Sequence, residues 1–110
     1  MMEKSMFEHS NVFRFPEKVD YFLEGIVSKR ILDKPVGTVT LFAFDKGQRL
    51  STHSAPFDAM VQVIEGEAEI GINDQPFQMK SGDTIIMPAG IPHSVIATEK
   101  FKMVLTMIKG

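Results

Sequence analysis

The side chains with the widest chemical reach in this 110-residue chain are two histidines, His53 and His93. An imidazole can ligate a transition metal, move a proton near neutral pH, or orient a ligand through a hydrogen bond. It can also serve as a buried, hydrogen-bonded member of a core. The third histidine, His9, lies in a polar stretch and reads as solvated. There is no cysteine, so thiolate metal sites, cysteine nucleophiles and disulfides are excluded.

Each histidine sits in a segment punctuated by turn residues. The first segment runs from Gly47 through His53, Ala55 and Ala59 to Gly66. The second runs from Gly82 through Pro88, Gly90 and His93 to Ala97. Gly47, Gly66, Gly82 and Gly90 fall at strand junctions, where a positive φ or a close backbone approach is expected. Pro88 ends a strand and stiffens the turn that delivers His93.

The two segments resemble the two sequence motifs of the cupin superfamily, small single-domain RmlC-like barrels. Gly47, His53, Gly66, Gly82, Pro88, Gly90 and His93 match the pattern. The first motif is degenerate: Ala55 stands at its second histidine position and Ala59 at its glutamate position. Ala97 stands at the last position of the second motif. The resemblance implies an all-β double-stranded β-helix, or jelly roll, with a pocket centred on His53 and His93.

The full pattern of three histidines and a glutamate suits Fe, Mn, Ni, Cu or Zn. Alanine cannot coordinate, so two of those four ligands are missing here. Asp58, one residue before the glutamate position, is the candidate third ligand beside His53 and His93. That set has the composition of non-haem iron(II) oxygenases. Strand parity argues against it. If Ala59, Val61 and Val63 face inward, Asp58 points the other way, unless it still belongs to the loop containing Pro56.

The elements that must position these residues read as strands. After Gly25 the expected runs are Ile26 to Leu32, Gly37 to Phe44, Gln48 to Thr52, Ala59 to Ile64 and Glu67 to Ile72. Phe77 to Lys80, Thr84 to Met87, His93 to Thr98 and Phe101 to Ile108 follow. Asn73-Asp74 is a hairpin signal. Ala68, Ile70 and Ile72 alternate with Glu67 and Glu69, as in a sheet wet on one face. The N-terminal stretch differs. Met1 to Asn11 is polar and expected to dock loosely, and a short helical turn begins near Pro16. The expected organisation is a single domain, with residues 1–25 packing on a barrel formed by residues 26–110.

Composition narrows the partners. The net charge of -2 offers no basic stripe for nucleic acid. No apolar run approaches the roughly 20 residues that span a bilayer, and residues 1–15 hold no secretory core, so a soluble cytoplasmic protein is expected. The strand Ala59 to Ile64 is apolar on both faces. Its outer face calls for a cover, either a second copy in a homodimer or Phe13 to Leu23 of the same chain.

The leading functional expectation is a small-molecule-binding barrel. Val61, Val63, Met87 and Phe101 would form apolar walls, Phe57 a lid, and His53 and His93 the orienting polar groups. The alternative is a divalent-metal enzyme of dioxygenase or isomerase type, using Fe, Mn, Ni or Zn held weakly by His53, His93 and Asp58 or a substrate atom. Metal-free acid–base catalysis ranks last, because the one tyrosine, Tyr21, lies outside both motifs.

Overall fold

The computed structural model describes residues 7–109. Among them are a one-turn 3-10 helix, Phe15–Glu17, and eight strands. The strands are β1 (Ile26–Lys34), β2 (Gly37–Phe44), β3 (Arg49–His53), β4 (Asp58–Ile72), β5 (Gln75–Lys80), β6 (Thr84–Met87), β7 (His93–Ile96) and β8 (Phe101–Ile108). Every pairing is antiparallel, in the order β1-β2-β8-β4-β7-β3, with β5 and β6 also on β4. The architecture is a jelly-roll barrel, as the family resemblance implied.

One strand joins the two halves of the barrel. The first part of β4 pairs with β6 and β8, and its last residues pair with β5 and β7. The sequence suggested two strands broken at Gly66, but β4 runs unbroken over fifteen residues. Gly66 is the crossing point, not a stop. It has φ +81°, and a Cβ there would lie 1.8 Å from the Lys100 carbonyl oxygen. Only glycine lets the two backbones come that close. The other three motif glycines also have positive φ, as expected of strand junctions.

Beside Gly66 the register with β8 steps irregularly, from Val63↔Met103 to Glu65↔Lys102. Such a bulge inserts one residue and changes which face the following side chains take. Ala59, Val61 and Val63 point inward before it, and Ala68 and Ile70 after it. The hairpin at Asn73-Asp74 has both residues at positive φ, which its sequence favours.

The interior cluster draws on both halves. Phe44, Val61, Val63, Phe101 and Met103 from one half meet Ala68, Ile70, Met79 and Val95 from the other. Phe44 and Phe101 stack with ring centroids 4.6 Å apart. A second cluster lies outside, where Val19 and half-buried Phe13, Phe15 and Tyr21 cover Leu41, Ala43, Val104 and Ile64.

The N-terminal segment thus covers part of the outer face. Phe7 is buried in this cluster, so the loose docking expected for the start fails at that residue, while residues 1–6 lie outside the described residues. Farther along β4, Met60 lines an open groove of about 250 Å³ with Ile86, Thr106 and Ile108.

Candidate functional site

The two histidines are neighbours because their strands are. β3 ends at His53, β7 begins at His93, and the two residues are register partners. The loops that precede and follow them are tied together. Gly90 N–H donates to the Ala55 carbonyl at 2.8 Å, and Ala89 N–H donates to Asp58 Oδ1 at 2.9 Å. On the other flank, Asn73 N–H donates to the Pro92 carbonyl at 2.8 Å. The turn ending at Gly90 is therefore fixed against the loop after His53, and rigid support of this kind defines a site.

The imidazole rings touch, with centroids 4.5 Å apart and planes inclined at 66°. His53 Nδ1 lies 2.9 Å from the Ser51 carbonyl oxygen, and His93 Nδ1 lies 3.3 Å from that of Ile91. His93 is buried and His53 exposed. Burial, and then the nearby His53 charge, push the His93 pKa below the ordinary histidine value, against a weaker upward pull from the Ile91 carbonyl. Neither Nε2 has a protein hydrogen-bond partner among the described residues. Thr38 Oγ1 is the one sealed side-chain polar atom without a partner among those residues. His93 Nε2 is therefore not sealed, and it opens on accessible space although its residue is buried.

Asp58 does not join the pair. Its carboxylate accepts from Ala89 N–H and its side chain is exposed, beside Met60 and Ile86 on the outer groove. Parity held: Ala59 is buried and Asp58 faces away. Among the described residues no group of three or more His, Cys, Asp or Glu could hold a metal ion. The candidate set of His53, His93 and Asp58 is thus corrected to two imidazoles. The residues present do not fit a three- or four-ligand metal centre.

The expected apolar walls are displaced as well. Val61 and Phe101 expose no surface, and Val63 and Met87 almost none. They are core packing rather than surface open to a ligand. Phe57 is half-buried, with the Lys109 ammonium 5.7 Å from its ring centroid. The accessible part of the site is its histidine edges.

A second polar cluster was not anticipated. The Tyr21 hydroxyl donates to Glu65 Oε2, and Lys102 Nζ lies 3.5 Å from the same oxygen. Lys102 also donates to the Pro16 carbonyl at 2.7 Å and sits 4.9 Å from the Tyr21 ring centroid. Lys29 donates to the Lys18 carbonyl at 3.0 Å. The barrel's lysines thus cap the backbone at the 3-10 turn. From sequence, Glu65 reads as a solvated rim residue. The bulge turns it outward onto Tyr21, and no local signal marks a contact between Pro16 and Lys102, 86 residues apart.

A jelly roll of this order, with a histidine pair held between two paired strands, defines a class of small β-barrel proteins. A family model described as a cupin domain matches residues 40–109, and the chain belongs to the cupin family. It is similar to a conserved Streptococcus pyogenes protein of unknown function, at 36% identity and TM-score 0.91, over 100% of this chain and 96% of that one. A cupin 2 conserved barrel domain protein from Leptotrichia buccalis is 43% identical with TM-score 0.86, over 88% of this chain and 47% of that one. A single-site variant of salicylate 1,2-dioxygenase from Pseudoaminobacter salicylatoxidans shares the fold, at 19% identity and TM-score 0.72, over 76% of this chain and 26% of that one. No curated protein matches the chain.

Proposed function

We propose that this cupin binds a small molecule at the His53–His93 pair and does not need a protein-held metal to do so. One observation carries the reading. Two touching imidazoles each leave Nε2 without a protein partner, and the ring that is otherwise buried keeps that atom open. A buried polar group with no internal partner costs stability unless something outside completes it. Ala55 and Ala59, where the resemblance calls for ligands, together with the outward turn of Asp58, support a ligand role over a metal-enzyme role.

The test is a two-armed titration of the purified protein. In one arm, a set of small organic fragments is titrated while the side-chain ¹⁵N resonances of His53 and His93 are followed. Saturable shifts at both rings, absent in His53→Ala, are expected. In the other arm, Fe(II), Mn(II), Ni(II) and Zn(II) are titrated and melting is followed, with elemental analysis of the protein as purified. Less than about a tenth of an equivalent bound, with no rise in Tm at millimolar ion, is expected. Near-stoichiometric metal would replace this reading with the metal-enzyme one.

A further inference from the structure

We infer that the His53–His93 site selects its ligand by the ligand's own hydrogen-bond donors, taking a hydroxyl or amino head group and turning away carboxylates and phosphates. The inference rests on the reading of this pair as the ligand site and deepens it to a chemical class.

A carbonyl oxygen can only accept a hydrogen bond, so a ring nitrogen held against it must carry the proton. His53 Nδ1 faces the Ser51 carbonyl and His93 Nδ1 faces that of Ile91. Each neutral ring has one proton, and each spends it on the backbone two residues earlier in its own strand or turn. Nε2 is left as a lone pair on both rings. The same local geometry appears twice, on two different strands, so the two tautomers agree.

The site therefore presents two acceptors and no ring donor while the imidazoles are neutral. The rings are in contact, so one small molecule reaches both. Asp58, whose carboxylate accepts from Ala89 N–H, faces the outer groove and takes no part at the pair. The Lys109 ammonium, which would attract an anion, lies over the Phe57 ring. An anionic oxygen brought to two lone pairs gains no hydrogen bond and meets repulsion. A hydroxyl or amine gains at least one. One net hydrogen bond corresponds to about a tenfold difference in affinity.

The experiment uses the full chain at pH 8, where histidines of ordinary pKa are neutral. Long-range ¹H–¹⁵N correlation of the imidazoles reports which nitrogen carries the proton. Phenol, aniline, benzoate and phenyl phosphate serve as probes of one ring size with different heads. The expected result is the Nδ1–H tautomer at both histidines, with phenol and aniline binding about tenfold tighter than benzoate or phenyl phosphate and shifting the Nε2 resonances. In His53→Ala, whose side chain is exposed and whose fold should persist, one of the two acceptors is gone and the discrimination should weaken.

An Nε2–H tautomer at either ring, or benzoate or phenyl phosphate binding as well as phenol, would overturn the donor rule while leaving the ligand site standing. If no probe moves either histidine, the underlying ligand-site reading fails and the donor rule with it.

Discussion

Two polar clusters decorate this barrel, and they differ in one respect. In the cluster of Tyr21, Glu65 and Lys102, the phenol, the carboxylate and the ammonium satisfy one another and the Pro16 carbonyl. It is closed. In the pair of His53 and His93, one nitrogen of each ring is satisfied by backbone and the other is left open. Both clusters bring together residues remote in sequence. The closed one holds the N-terminal segment to the outer face. The open one is supported as firmly by its loops, yet ends in two unused acceptors. Satisfied polar groups stabilise, whereas unsatisfied ones on a rigid support are available to a ligand.

The comparison breaks first at Lys102. Its side chain is only 8% exposed and serves three partners at once. Lys102→Met should cost about 2 kcal/mol and lower Tm by roughly 10 °C, because the Pro16 carbonyl loses its donor and the Glu65 carboxylate its cation. Urea and thermal melts measure it. A loss below about 0.5 kcal/mol would show that the cluster is not a structural lock.

Tyr21→Phe tests the same lock by pH. Burial raises the Tyr21 pKa, and the hydrogen bond and charge of Glu65 raise it further. The folded protein keeps a proton that the unfolded chain loses near pH 10. Stability should therefore hold below about pH 10 and decline as pH rises beyond it. Tyr21→Phe should cost about 1 kcal/mol at pH 8 and abolish the alkaline decline. An unchanged decline in the variant would detach it from Tyr21.

The smallest effect is expected at the open pair. His53→Ala should change stability at pH 8 by no more than about 0.5 kcal/mol, since the side chain is exposed. Its signature lies at lower pH. The His93 pKa is depressed, so the unfolded chain takes up a proton near pH 6.5 before the folded protein does. Stability should be whole above about pH 6.5, fall as pH drops below it, and level off beneath the folded pKa. Removing the His53 charge should raise the His93 pKa and shallow that fall, as an NMR titration of His93 would show. An unmoved His93 pKa would mean that the two rings do not sense each other.

Much of this was legible in the residues themselves. Alternation marked the strands and turn residues ended them, so β2, β6 and β8 fell where the pattern put them. The resemblance carried by Gly82, Pro88, Gly90 and His93 implied the jelly roll and a pocket centred on both histidines. Parity told Asp58 from Ala59. Local rules sufficed because each depends on a residue and its near neighbours.

Other features required the folded chain. The bulge beside Val63 reverses inward parity and sends Glu65 outward, a consequence of how β4 pairs with β8 rather than of either strand alone. Val61 and Phe101 became sealed core instead of pocket wall, because packing against the opposite half decides how much interior remains. The open Nε2 atoms likewise depend on two local carbonyls and on the lack of a hydrogen-bond partner for them among the described residues. The family resemblance of the sequence implied that the two imidazoles share one address. Three-dimensional packing set which nitrogen each ring gives to the backbone and which it leaves free.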